Sequence, residues 1–287
     1  MAERVLITGG AGFIGRHLQL KLKEAGIPFF VYDLAVDPKF DVRYRAQLDQ
    51  QVEQFKATCI VHLSGVLGTN ELLQRDAAEQ AIDVNIKGAL SVGTVALANS
   101  CRLVSIEQPH IWYNVYEASK LAARRMLTGM ALDRGLEVAF ITAHNAFGEG
   151  QAFGPGHPQK IVPTFAKSAW TGGSLPIWGD GSQQCNLVYA GQVAQVLYEA
   201  VMHPENYCDP LYEYNAATNQ LWTVKQLAEY VLQHVQSAGL EVFAGHIAYQ
   251  PMRHGEQAAA KYPTPDPRWP SLDLDDLDRT IDWYRNA

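Results

Sequence analysis

The sequence is poor in cysteine, with four thiols in 287 residues, at positions 59, 101, 185 and 208, and no C-x-x-C pair. That excludes a disulfide-stapled scaffold and the common cysteine metal ribbons. Cys59 lies inside the apolar run TCIVHL and reads as a buried thiol. The nine histidines are scattered without metal-ligand spacing, so no metal is expected. No block of lysine or arginine occurs and the formal net charge is −7, which excludes a broad basic face for nucleic acid. A small anionic ligand needs only one or two arginines and some backbone amides, so it stays open. No run of about 18 apolar residues suggests a membrane span. The N-terminus, MAERVLITGG, enters an apolar strand at once, without a basic segment before an apolar one. No secretory leader is therefore expected, and a soluble cytoplasmic protein is. Internal repeats and low-complexity tracts are lacking too.

What is present is alternation. Apolar strands are expected at 4–9, 28–33, 58–64, 102–106 and 137–143, with amphipathic helices at 13–25, 47–56, 76–99 and 114–134. Short, continuously apolar strands separated by helices predict an α/β fold, a doubly wound parallel sheet covered on both faces. Gly26 and Gly135 are expected helix stops. After residue 148 the texture changes to the Gly- and Pro-rich FGEGQAFGPGHPQK. Helices at 161–171, 190–202 and 223–237 follow, with a strand in LYEYNAA. The expected organisation is a dinucleotide-binding domain over 1–148, to which 185–216 return. A smaller α+β substrate domain is expected over 149–184 and 217–287.

GGAGFIG (9–15) joins a strand to a helix. Gly9, Gly12 and Gly15 let the backbone turn tightly and approach a pyrophosphate, and the helix start at Phe13 and Ile14 offers free amides. Asp33 closes the second strand, where a carboxylate can accept from an adenosine ribose and would repel a 2′-phosphate. NAD is therefore the expected cofactor. Tyr116 and Lys120 in YEASK are four apart on a helix and share a face. An ammonium near the phenol would lower its pKa. Tyr116 could then take a hydroxyl proton as hydride moves to NAD, while Lys120 bonds the nicotinamide ribose.

These motifs, with VHLSG, DVNIKGAL, HNAFGEG, LPIWGDGSQ and MRHGE in order, resemble the extended short-chain dehydrogenase/reductase family of nucleotide-sugar epimerases and dehydratases nearly end to end. The resemblance implies a homodimer through the helices at 76–99 and 114–134. It places Leu63 and Ser64 at the nicotinamide ribose, and Gln47, with Leu48 beside it, near the adenine. It sets Asn85 behind the active site, Asn145 near the substrate, and Arg253 on a nucleotide diphosphate. Cys185-Asn186-Leu187 departs from the family's R-D-F/Y motif and removes one phosphate-binding arginine.

The usual Ser or Thr partner of the tyrosine is also displaced. Ser105 is the nearest hydroxyl, but the resemblance sets that position at Ile106 or Glu107, and a one-residue slip reverses a strand side chain. Ser105 and Glu107 are therefore both catalytic candidates, with His110 in the shortened loop as an outside one. The expected function is NAD-dependent conversion of a nucleotide-linked sugar through a transient keto intermediate, first as C4 epimerisation. A dehydratase in which Glu107 takes the alpha proton is the alternative. A dehydrogenase acting on a nucleoside or other substrate, and a cofactor-sensing protein without turnover, stand behind these.

Overall fold

The computed structural model describes residues 2–68, 75–154, 157–238, 245–252 and 262–287. The first half forms β1 (Val5–Thr8), α1 (Phe13–Glu24), β2 (Phe29–Tyr32), α2 (Arg45–Phe55) and β3 (Cys59–His62). Next comes a rod of α3 (Arg75–Ala81) and α4 (Ala89–Ala98) joined by a π-helical stretch (Ile82–Gly88), then β4 (Arg102–Glu107), α5 (Val115–Arg134) and β5 (Val138–Ala143). The second half forms β6 (Asn145–Phe147), α6 (Ile161–Trp170), β7 (Ser174–Trp178), β8 (Gln184–Cys185), β9 (Leu187–Tyr189), α7 (Ala190–Met202) and α8 (Pro204–Tyr207). It ends with β10 (Tyr214–Ala216), β11 (Trp222–Thr223), α9 (Val224–Ser237), β12 (His246–Gln250) and α10 (Leu274–Trp283).

Six strands pair in parallel in the order β10-β5-β4-β3-β1-β2. Alternate strand residues feed two cores, which is why the strands are apolar throughout. Ile7, Val61, Val104 and Ile141 pack with α1 and α7 on one face. Leu6, Ile60, Leu103 and Phe140 pack with α2, α4 and α5 on the other. A third core joins Phe165 of α6, Ile177 of β7, Leu227 of α9 and Ile281 of α10. Gly26 and Gly135 take the left-handed conformation beyond α1 and α5, with φ of 66° and 75°.

The helix expected over 76–99 is interrupted by the π turn. Gly88 allows the close approach of Val42, whose Cγ2 would lie 2.8 Å from an added Cβ. Such widened turns gather at functional sites. This one holds buried Asn85, whose Oδ1 accepts from Val66 N at 2.8 Å and whose Nδ2 donates to Ser119 Oγ at 2.9 Å. By length and composition Ala77–Ala98 would also pass for a membrane span, which the sequence reading did not anticipate. Its Val92, Val95 and Ala96 are instead packed into the core beside α5.

From β1 the chain steps to β2 on one side, then returns to β3 on the other. The connections diverge between the C-terminal ends of β1 and β3, where open α/β sheets bind ligands.

Candidate active site

A cavity of about 820 Å³ opens beyond those strand ends, within the size range of small-molecule sites. Loops of the parallel sheet form one wall. Residues of β6, α6, β7 and β8, with Tyr262, form the other.

The glycine loop sits at the divergence. Gly9 has φ 69°, and a Cβ on it would lie 2.6 Å from Ser64 N. At Gly15 an added Cβ would lie 2.2 Å from the Gly10 carbonyl oxygen, so only glycine lets α1 begin this close to β1. No side chain caps α1, and Phe13 and Ile14 of its first turn line the cavity, as do Gly9, Gly12 and Gly15. Bare amides and a helix N-terminus suit a pyrophosphate. Asp33 also lines the cavity. Its Oδ2 accepts from Ala11 N at 3.0 Å and its Oδ1 from Ala35 N at 2.8 Å, which ties the loop to β2. Leu63 and Ser64 lie on the cavity wall as well. These residues fit a dinucleotide.

Gln47 and Leu48 do not line this cavity. Leu48 is fully buried in the core under α2. Asp41 and Val42 line it instead, six residues earlier, because the chain reaches the cavity before α2 starts. The Asp41 carboxylate is already paired with the Arg43 guanidinium, at 2.6 Å and 2.9 Å.

α5 delivers the next group. Asn114 Oδ1 accepts from Glu117 N at 2.9 Å and starts the helix, so that Tyr116 and Lys120 face the cavity. Lys120 Nζ donates to the Ile106 carbonyl at 2.7 Å and lies 3.8 Å from Glu107 Oε2. The ammonium therefore serves the end of β4. Burial, then the charges of Glu107 and Glu117, push the Tyr116 phenol up, opposite to the lowering expected from Lys120 alone. Glu107 is 3% exposed, and its desolvation outweighs Lys120 and Ser105 to push its carboxyl up as well.

Ser105 does not line the cavity. It pairs across the sheet with His62, which pairs with Thr8, on the face that α5 covers. Glu107 is two residues on and shares that face. Ser105 Oγ donates to Glu107 Oε1 at 2.9 Å, while Glu107 Oε2 is buried without a hydrogen-bond partner. Ser105 thus props Glu107, and Glu107 is the group presented to the cavity. His110 is exposed and off the cavity.

Sequence reasoning missed Glu117 and Tyr262. Glu117 Oε2 accepts from Trp112 N at 2.7 Å, and so folds the shortened loop against α5. Burial pushes its carboxyl up to about 7 against those loop amides. The fold therefore favours the protonated form. The stability this gives is complete below the ordinary value of 4.5 and is lost as pH rises through about 7. Glu117→Gln should make the melting temperature fall less between pH 5 and 7.5 than in the parent, read by calorimetry. Equal slopes would remove Glu117 as the titrating group.

At the far end, Asn145 lines the cavity, and its Oδ1 accepts from the Tyr262 hydroxyl at 2.5 Å and from Asn186 N at 3.1 Å. Cys185 lines the cavity where the arginine of the motif would stand. Asn186 holds the fold instead, with Nδ2 donating to the Thr218 carbonyl at 2.7 Å. Arg253 lies outside the described residues.

The profile described as the NAD dependent epimerase/dehydratase family matches residues 5–107 and 109–217. A dTDP-glucose 4,6-dehydratase of Neisseria gonorrhoeae is 25% identical over 339 aligned positions, covering 98% of this chain and 95% of that protein. The aligned span exceeds the 287 residues available, so that relative carries segments this chain lacks. A UDP-glucose 4-epimerase of Thermus thermophilus, solved with NAD, has a TM-score of 0.80 at 20% identity over 99% of both chains. A dTDP-glucose 4,6-dehydratase of Streptomyces venezuelae, also with NAD, has a TM-score of 0.79 at 20% identity over 99% of this chain and 97% of that one. At these identities the two structures share the fold with this chain. The profile spans well over half of the sequence, and the chain belongs to the NAD-dependent epimerase/dehydratase family.

Proposed function

We propose that the protein converts a nucleotide-linked sugar through a transient keto intermediate, with C4 epimerisation as the simplest outcome. The observation that carries this is the convergence of Tyr116, Lys120 and Glu107 with the Gly9–Gly15 cradle on one cavity. NAD, when bound, supplies the acceptor for the electron pair leaving the sugar carbon. Gly9, Gly12, Gly15, Phe13 and Ile14 hold its pyrophosphate, Asp33 the adenosine ribose, and Leu63, Ser64 and Lys120 the nicotinamide end. Tyr116 takes the sugar hydroxyl proton and returns it after the ketone has turned. Glu107, propped by Ser105 and with one oxygen free of hydrogen bonds, holds the sugar oxygen where relatives use a hydroxyl. Asn145 anchors the substrate on the other wall, and Arg253, outside the described residues, is the proposed partner of its diphosphate. A homodimer through the α3–α4 rod and α5 belongs to the same reading, supported by exposed Ile82 and Met126 on those helices.

Dehydration is the second reading, and Glu107 favours it, because a buried carboxyl beside the reacting carbon can take an alpha proton. Incubation with UDP- and dTDP-sugars, read by NMR and by NADH absorbance, separates epimer, dehydrated ketone and net oxidation. Absence of product from the whole panel would sink the proposal. Glu107→Gln should cost an epimerase less than roughly tenfold, whereas in a dehydratase it should stop water loss and leave transient NADH visible. In either case it removes a negative charge that raises the Tyr116 phenol, so the limb of the pH–rate profile that reports the phenol should move down. An unmoved limb would show that Glu107 does not face the tyrosine as an anion.

A further inference from the structure

Residues 108–114 form the loop that joins β4 to α5. Ile111 and Trp112 of this loop line the cavity, while Tyr113 beside them is 88% exposed. A side chain of α5 sets that arrangement. Glu117 Oε2 accepts from Trp112 N at 2.7 Å, and the Ile111 amide donates to the same carboxyl. Asn114 Oδ1 in turn accepts from Glu117 N at 2.9 Å, which fixes where the helix and its carboxyl begin. The side-chain nitrogens of Gln108 and Asn114, at the two ends of the loop, have no hydrogen-bond partner. The loop is thus tied down chiefly at one point, the carboxyl of Glu117.

That carboxyl is 6% exposed, and a charge so buried needs a cation to balance it. Lys120, one turn on along α5, gives its ammonium to the Ile106 carbonyl at 2.7 Å and lies 3.8 Å from Glu107 instead. The titratable groups that face Glu117 are two phenols, Tyr116 of its own helix and Tyr262 from the C-terminal segment. Burial, then neighbouring groups with Glu117 among them, push both phenols up. No cation acts on Glu117 from the loop, from α5 or from that segment. Its burial therefore outweighs the two amides and pushes the carboxyl up to about 7. The neutral acid fits the folded loop, because its carbonyl oxygen still accepts from an amide. The anion is better served by water, which an open loop admits.

We propose that Glu117 is a positioning residue, the clasp of a lid. Neutral, it holds residues 108–114 folded so that Ile111 and Trp112 close the cavity over the substrate, and ionised, it releases them. The closed loop binds the proton more tightly than an open one, in which the carboxyl keeps its ordinary value of 4.5. The contribution of Glu117 to closure is therefore complete below 4.5. It falls by up to roughly tenfold for each pH unit above that and is lost as pH rises through about 7. For what the lid closes over, the inference rests on the nucleotide-sugar reading above.

The test is acrylamide quenching of Trp112 in NAD-loaded protein. The signal is the difference between each protein and its Trp112→Phe counterpart, because the chain has six tryptophans. In the parent, Trp112 should become more accessible to the quencher between pH 5.5 and 8. Glu117→Gln keeps an oxygen for the Trp112 amide and carries no charge, so Trp112 should stay shielded at both. Glu117→Ala should leave it accessible at both. Calorimetry with UDP-glucose and dTDP-glucose reads the consequence. Affinity should fall roughly tenfold in the parent over that range, stay level in Glu117→Gln, and be low throughout in Glu117→Ala. A Trp112 signal indifferent to pH in the parent, or one that changes alike in Glu117→Gln, overturns the inference. So does a sugar-nucleotide affinity that stays level in the parent. Both results leave the proposed reaction standing, since it rests on Tyr116 and the cofactor. If neither sugar nucleotide binds at either pH, the failure belongs to the proposed function, and the Trp112 signal alone decides the lid.

Discussion

Tyr116→Phe should lower turnover roughly 10²–10⁴-fold while NAD binds as before. The cavity holds a second phenol, Tyr262, but its hydroxyl donates to Asn145 Oδ1 at 2.5 Å and is committed to the substrate wall. Lys120 cannot stand in, because its ammonium is held by the Ile106 carbonyl at 2.7 Å and serves as a cation. Removal of one phenol oxygen therefore removes the group placed to take the hydroxyl proton. Cofactor affinity should survive, since the glycine loop proposed to hold the pyrophosphate joins β1 to α1 and owes nothing to α5. Ser105→Ala is the control. It lies beneath Glu107 and off the cavity, so it should cost much less than Tyr116→Phe. An equal loss would put Ser105 in contact with substrate. Full activity of Tyr116→Phe, measured on the sugar panel, would end the proton-transfer role.

The first five strands were legible to within two residues because a sheet covered on both faces needs unbroken apolar runs, and the glycines beyond α1 and α5 mark the ends of those helices, whereas the short strands β6 to β9, β11 and β12 were not foreseen. The Tyr116–Lys120 face followed from helix periodicity alone. The adenine end did not follow. α2 begins after Tyr44 with no side-chain cap, so nothing local marks where the loop ends, and Gln47 and Leu48 fall off the cavity that Asp41 and Val42 line. The partners of Lys120 were illegible for another reason. Which oxygen an ammonium meets depends on how β4 ends, and the Ile106 carbonyl has no sequence signature. Glu117 sat in plain view between Tyr116 and Lys120, but its burial depends on the loop folding back to give it the Trp112 amide. Tyr262 reaches Asn145 across 117 positions of chain, beyond any local pattern.

Gly9→Ala should weaken NAD binding on the order of a hundredfold, and a second glycine separates the two causes. At Gly9 the backbone is left-handed, and an added Cβ would sit 2.6 Å from Ser64 N and 2.8 Å from the Leu63 carbonyl carbon. Both are backbone atoms at the end of β3, so neither can swing aside. The loop must lift away from β3, and with it go the first-turn amides of α1 and the Ala11 amide that Asp33 holds. Gly26 is also left-handed, at φ 66°, but nothing lies within 4 Å of an added Cβ. Gly26→Ala therefore carries the conformational cost, about 1–2 kcal/mol, without the collision. It should lower the melting temperature and leave the dissociation constant for NAD unchanged. Gly9→Ala should do both, and its loss of affinity should exceed anything its melting temperature accounts for. Calorimetric titration of NAD into each folded variant decides. If Gly9→Ala binds NAD as tightly as Gly26→Ala does, the contact between the glycine loop and Ser64 does not shape the cofactor site.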